Sequence, residues 1–84
     1  MKAIFEQVIN VSPAGEQCLW RVESYTRTPA THVVTSSVNR WLTKETMAFW
    51  ANAVGEIVDW DELASAGPGK HVACLMDAGF AVEV

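Results

Sequence analysis

The amino-acid sequence predicts an α+β domain: an N-terminal antiparallel β-hairpin or three-stranded sheet, packed by one longer and one or two short helices, with a C-terminal strand. Three observations lead to this prediction. Residues 2–27 read as two strands around a turn, residues 43–55 have helical periodicity with capping signals, and residues 80–84 alternate again. Because 84 residues support only one hydrophobic core, we expect residues 1–84 to form a single domain.

The first two elements are the strands of the hairpin. Segment 2–11 has apolar residues at both odd and even positions, which predicts a strand covered on more than one side. Residues 12–16, Ser-Pro-Ala-Gly-Glu, are typical of a turn. Residues 17–27 then alternate, and the β-branched segment 31–37 could add a third strand. One face of the second strand carries Cys18, Trp20 and Val22, and the other carries Arg21, Glu23, Tyr25 and Arg27.

The longer helix is predicted to begin at Thr43, a favourable N-cap residue. Leu42 before the cap can pack on Met47 as a hydrophobic staple. The spacing i, i+3, i+4, i+7 places four side chains on one apolar stripe, and Gly55 follows where a helix terminator belongs. That stripe consists of Met47, Trp50, Ala51 and Val54.

Two further segments complete the predicted fold. Residues 59–62, Asp-Trp-Asp-Glu, form a variant of the capping box and predict a short helix that Gly67-Pro68 would end. Residues 70–78 predict another helix, since Ala, Leu and Met are good helix formers, with a strand over residues 80–84. The alternative for this last segment is a hairpin whose loop is Asp77-Ala78-Gly79.

Composition excludes several classes of protein. Half of the residues are apolar and 19% are charged, which is unlike a disordered chain. We find neither a continuous apolar segment of membrane-spanning type nor a signal-peptide core. Two cysteines, Cys18 and Cys74, are too few for a disulfide framework. We therefore expect a cytoplasmic protein with buried, reduced thiols.

The chemistry-bearing residues do not form a recognised motif. Cys18, His32, His71 and Cys74 match a zinc ligand set in composition, but only His71 and Cys74 are close in sequence. Residues 67–70, Gly-Pro-Gly-Lys, lack the first glycine and the final hydroxyl of a phosphate-binding loop. A Cys-His nucleophile has no third residue placed to orient it. The sequence therefore predicts no catalytic residue, no metal and no cofactor, and a protein that is not an enzyme.

Charge is distributed unevenly along the chain, whose net charge is -4. The first half has four bases against three acids, and the second half has two bases against seven acids. This asymmetry predicts a protein partner with a basic surface and makes nucleic acid an unfavourable partner. We expect the partner to bind Glu56, Asp59, Trp60, Asp61 and Glu62.

The chain is also rich in tryptophan, with four residues. Trp20 and Trp50 fall on inward faces of predicted elements and are expected in the core. Trp41 and Trp60 could either close the edge of the core or anchor a partner, because tryptophan is enriched at interface hot spots.

Two alternative functions stay open at this point. The apolar composition is compatible with a homo-oligomeric accessory subunit, for example a homodimer. Arg21, Tyr25 and Arg27 on the outer hairpin face could form a weak RNA-binding surface, although Glu23 lies among them.

In overall profile, a compact acidic domain with an apolar composition and no catalytic signature, the chain resembles small phage-encoded inhibitors of bacterial defence such as anti-CRISPR proteins. The resemblance is one of type and assigns no site residue. It implies non-catalytic binding to a host protein that handles nucleic acid or acts in defence.

Overall fold

A computed structural model describes residues 1–12, 15–23, 30–38 and 45–84 of the chain. These residues form a six-stranded mixed β-sheet and one short helix. The sheet is curled like half a barrel, and its strand order is β5-β4-β3-β2-β1-β6. The elements are β1 (Lys2–Ser12), β2 (Gly15–Glu23), β3 (His32–Val38), β4 (Thr46–Ala51), β5 (Ala64–Ala66), α1 (His71–Asp77) and β6 (Ala81–Glu83).

Strands β1 to β5 follow one another as an antiparallel meander, and β6 returns to pair in parallel with β1. The register of β1 against β2 shifts twice, between Phe5 and Gln7 and between Val8 and Asn10. Each shift inserts an extra residue into β1, which bends the strand and increases its twist. These two bulges help to curl the sheet around α1.

The larger core lies between α1 and the face of the sheet that α1 covers, which we call the helix face. Trp20, Val33 and Trp50 from the sheet meet Leu75 and Phe80 there, and the Trp50 and Phe80 rings make an edge contact at 6.0 Å. The helix contacts β3 and β4 as well as both edge strands, β5 and β6. It therefore lies across the curled sheet rather than along one edge.

The opposite face of the sheet, here the second face, has a smaller core. Leu19, Val34 and Ala51 are fully buried there and Ile9 packs against them. Gly55, from the turn after β4, lies so close to Ile9 that an added Cβ would be 2.5 Å from its Cδ1, and its φ is +86°. The central strands are thus buried on both faces.

The predicted helix from Thr43 to Val54 is wrong, because residues 46–51 form strand β4. All six residues of β4 are buried or half-buried, and a strand covered on both faces shows a continuous apolar run instead of an alternation. Periodicity alone cannot separate such a run from a helical stripe. The predicted cap at Thr43 and staple at Leu42 lie outside the described residues.

The predicted short helix from Asp59 is also wrong. Residues on either side of it pair with β4, through Val58 N to Trp50 O at 2.9 Å and Leu63 N to Ala48 O at 2.8 Å. Residues 59–62 loop out between these two bonds. The Asp59 carboxylate accepts a hydrogen bond from Asp61 N at 2.9 Å, so the capping signal makes a local turn without a helix after it.

The predicted α+β class with several helices is therefore wrong, since the described residues are mostly β with one seven-residue helix. Several predictions of single secondary-structure elements are correct. The β1–β2 hairpin, the strand near residues 31–37, the helix within residues 70–78 and the C-terminal strand are confirmed. The alternative hairpin loop at residues 77–79 is wrong, because α1 ends there and Gly79 adopts φ +96°. Within the described residues, no helix has the length and apolar character needed to cross a membrane.

Candidate functional site

An apolar groove of about 660 Å³ lies beside α1 on the helix face. This volume falls within the usual range of pockets for small molecules and cofactors. The helix covers the centre and edges of the sheet and leaves part of β1 and β2 open next to it. The groove is lined mainly by Phe5, Cys18, Trp20, Val72, Met76 and Val84.

A cluster of polar side chains sits where the groove meets the sheet. His71 is the first residue of α1, and its Nδ1 lies 2.7 Å from the Thr35 hydroxyl of β3. The Trp20 indole N–H donates to the same hydroxyl at 2.9 Å. Glu16, Cys18 and Trp20 alternate along β2, so all three side chains lie on this face.

The turn before α1 places His71 against the sheet. Gly69 N donates to Ser37 Oγ at 2.7 Å, and Thr46 Oγ1 donates to the carbonyl of Gly67 at 2.9 Å. Both bonds tie the turn to β3 and β4. The segment 67–70 is thus a strand-to-helix turn that positions His71.

The second ring nitrogen of His71 lacks a hydrogen bond. His71 Nε2 lies 3.2 Å from Glu16 Oε1, close enough for an ion pair. The contact does not have hydrogen-bond geometry, and Nε2 is buried with no hydrogen-bond partner among the described residues. Such an orphaned nitrogen is uncommon, because nearly all buried polar atoms in proteins are hydrogen-bonded.

Burial controls the protonation of this cluster. It lowers the pKa of His71, which the Glu16 carboxylate partly opposes. Burial also raises the pKa of the Cys18 thiol, and the negative charge of Glu16 adds to that effect, while a hydrogen bond from Thr35 opposes it. The imidazole is therefore neutral and the thiol protonated near pH 7, which is unlike an activated cysteine nucleophile.

The cluster also contains three metal-ligand types. One ligand atom each from Glu16, Cys18 and His71 lies within 4.8 Å of the other two. The four residues singled out from composition do not come together. His32 lies on the second face, and the Cys74 thiol is hydrogen-bonded to the carbonyls of Thr46 and Ala64.

Sequence reasoning missed Glu16 as a member of this group. The signal that could have found it is the alternation of β2, which places Glu16 two residues before Cys18 on the same face. The predicted pairing of His71 with Cys74 along the helix is not part of the cluster. Instead, the thiol that meets His71 comes from β2.

The predicted partner site, residues 56–62, is an exposed loop at the β5 edge of the sheet. The Trp60 side chain is 74% exposed, and its ring lies 5.7 Å from that of Phe49. Glu56 is tied into the preceding turn by hydrogen bonds with Asn52, including Asn52 Nδ2 to Glu56 Oε1 at 3.1 Å. Asp61 and Glu62 are exposed.

The alternative face on the hairpin is only partly described. Arg21 Nη1 lies 3.0 Å from Glu23 Oε2, and Arg21 Nε lies 3.7 Å from Glu6 Oε2. Two carboxylates therefore offset the Arg21 charge, which argues against its use on phosphate. Tyr25 and Arg27, like Trp41, lie outside the described residues.

Comparisons with known proteins add no assignment: no protein-family model, no curated protein and no solved structure matches this chain.

Proposed function

We propose that the protein is a non-catalytic binding module that docks on a basic protein surface through the acidic loop, residues 56–62. The observation that carries the proposal is the Trp60 side chain, which is 74% exposed in a chain whose Trp20 and Trp50 are buried. An exposed indole has a large apolar surface and a hydrogen-bond donor, a combination enriched at interface hot spots.

The acidic loop is also held in place before any partner arrives. Val58 N within the loop and Leu63 N directly after it are bonded to β4, and Asp61 N is bonded to the Asp59 carboxylate. The Phe49 ring packs against the indole, with the ring centroids 5.7 Å apart. A loop that is already ordered loses less conformational entropy on binding, which favours affinity.

Charge supports a basic partner. Four acids, Glu56, Asp59, Asp61 and Glu62, lie with Trp60 within seven residues of sequence. Opposite charge on a partner would steer the encounter and raise the association rate. Together with the resemblance to phage-encoded inhibitors, this favours a role in blocking a host protein that itself binds nucleic acid. The two free, buried cysteines fit the cytoplasm, where that partner would act.

Cross-linked capture from a bacterial host lysate, with quantitative mass spectrometry, tests the proposal. We expect one protein with a basic surface to be captured by the wild type and by the control Met76→Ala, which alters a 63% exposed apolar residue elsewhere. Trp60→Ala should lose that protein, because removing an anchor typically raises Kd by roughly 30-fold, about 2 kcal/mol.

Charge reversal provides an independent arm with the purified partner. Asp61→Lys with Glu62→Lys should slow association, and more so at low salt. Asp77→Lys, at the end of α1, reverses one charge away from the loop and should leave binding nearly unchanged, whereas Asp61→Lys alone should already slow association. Equal capture by wild type, Trp60→Ala and the loop reversals would contradict the proposal.

A second candidate function, self-association as an accessory subunit, is favoured by the rim of the groove. Met76 is 63% and Val84 90% exposed, with Phe5 and Val72 partly exposed beside the same groove. Covering this apolar surface with a second copy would stabilise a dimer. Light scattering at micromolar to millimolar concentration tests it, and a monomer throughout that range would contradict it.

A further inference from the structure

The polar cluster on the helix face brings an imidazole nitrogen, a thiol sulfur and a carboxylate oxygen to one point. We infer that Glu16, Cys18 and His71 form a binding site for a divalent transition-metal ion, with Zn²⁺ the best match. Imidazole, thiolate and carboxylate are the three protein ligands that Zn²⁺ uses. The site is independent of the acidic loop and of its proposed partner.

Distances within the cluster fit one tetrahedral ion after a small closure. Bond lengths of about 2.0–2.3 Å to a tetrahedral zinc imply separations of roughly 3.3–3.8 Å between ligand atoms. Glu16 Oε1 and His71 Nε2 are already 3.2 Å apart, and the three ligand atoms lie within 4.8 Å of one another. The Glu16 side chain is 46% exposed, so it can move to close the site and gives an ion access from solvent.

The orphaned nitrogen is an independent observation that points to a ligand. His71 is only 7% exposed, yet its Nε2 has no hydrogen-bond partner among the described residues. A metal ion at this nitrogen would satisfy its lone pair, which the nearby Glu16 carboxylate cannot do as an acceptor. The cost of burying the nitrogen is then offset when the ion binds.

The surroundings of His71 match those of a metal-binding histidine. Such residues use their other ring N–H to bond a neighbouring acceptor, which orients the ring. His71 Nδ1 lies 2.7 Å from Thr35 Oγ1, and that hydroxyl is itself fixed by the Trp20 indole at 2.9 Å. With Nδ1–H donating to Thr35, Nε2 carries a lone pair that can bind a metal ion.

Binding requires one proton to leave. The Cys18 thiol loses its proton to solvent as the sulfur–metal bond forms, while His71 binds through the Nε2 lone pair and Glu16 through a carboxylate oxygen. Three protein ligands leave a fourth position of the tetrahedron for water. Cys18 and His71 both line the groove, which has room for that water.

Titration of the full chain with Co²⁺ after chelator treatment tests the site. We expect saturable binding of one ion per chain, with a near-ultraviolet charge-transfer band from the Cys18 thiolate, and displacement of that band by Zn²⁺. Zn²⁺ at a hundredfold excess over Kd should raise Tm by roughly 10 °C or more.

Matched variants separate this site from surface binding. Cys18→Ser should abolish the band and weaken binding by at least about tenfold, and Cys74→Ser, the other buried cysteine, should leave both unchanged. His71→Gln should lose binding, whereas His32→Gln on the second face should retain it.

Glu16→Gln keeps the test valid if the variants at the buried positions Cys18 and His71 do not fold, because Glu16 is half-exposed. It should fold as the wild type does and bind Co²⁺ more weakly, with the thiolate band retained at saturation. The inference is overturned if the wild type shows no thiolate band on titration, if the band persists in Cys18→Ser, or if Glu16→Gln binds as tightly as the wild type.

Discussion

Two histidines on opposite faces of the same sheet have nearly the same neighbours. His32 and His71 are each 7% exposed, and each has a threonine hydroxyl 2.7 Å from Nδ1. Each also has a glutamate oxygen near Nε2, Glu6 at 2.8 Å and Glu16 at 3.2 Å. The two sites nevertheless differ in what they can bind.

At His32 both ring nitrogens are bonded, and Arg21 lies 3.7 Å from the second oxygen of Glu6. This arrangement links β1, β2 and β3 and leaves neither ring nitrogen of His32 free for an ion. At His71 the Nε2 contact is not a hydrogen bond, and the adjacent side chain is the Cys18 thiol instead of a cation. A His-Glu contact alone therefore does not define a metal-binding site. The unsatisfied ring nitrogen of His71 and the third ligand from Cys18 define it.

The largest difference in the free energy of unfolding is expected between substitutions of the two threonines. Thr35→Val removes the hydroxyl shared by the buried Trp20 indole and His71 imidazole, at a cost of about 2–4 kcal/mol in the free energy of unfolding. Thr31→Val removes the hydroxyl at His32, where an exposed position lets water replace it, and should cost less than about 1 kcal/mol. Urea denaturation measures both. Equal losses would show that the two histidines are held alike.

The second buried thiol on the helix face predicts a dependence on alkaline pH. Burial raises the pKa of Cys74 from 9.0 to about 11, so the unfolded chain loses this proton before the folded chain does. Its contribution to stability is intact below pH 9 and is lost as pH rises from 9 to 11, by at most about 1.4 kcal/mol per pH unit.

Urea denaturation at pH 8, 9 and 10 checks the Cys74 prediction. Cys74→Ala should show a shallower loss than the wild type, because the other groups that titrate in this range are common to both chains. Parallel curves for the two proteins would argue that the thiol does not govern the alkaline slope.

The smallest difference in the free energy of unfolding is expected between substitutions of the two glutamates, measured in metal-free protein. Glu6→Gln weakens the bond to His32 and the contact with Arg21, and should cost about 0.2–1 kcal/mol, less at high salt. Glu16→Gln disrupts no hydrogen bond to His71 and should change stability by less than about 0.5 kcal/mol. Urea denaturation in low and high salt measures both, and a larger loss for Glu16→Gln would reverse the comparison.

The tryptophans show what a sequence can predict when the secondary-structure element is wrong. Residues 59–62 do not start a helix, and the Trp60 side chain in that loop is exposed. Trp50 is buried as expected, although it lies on a strand. The apolar neighbours of Trp50 in the sequence, not its residue type, predicted that its side chain enters the core. Those neighbours did not predict the backbone conformation.

The sequence by itself determined the features whose signals lie within a few residues. These are the turn and alternation of the β1–β2 hairpin, the helix-forming residues of α1, and the placement of Cys18, Trp20 and Val22 on one face of β2. Only the tertiary structure decided that residues 46–51 are a strand, because burial on both faces removes the alternation that marks one. It also decided the candidate metal site, since His71 reaches β2 only after the sheet has curled around α1, and no local signal records that contact.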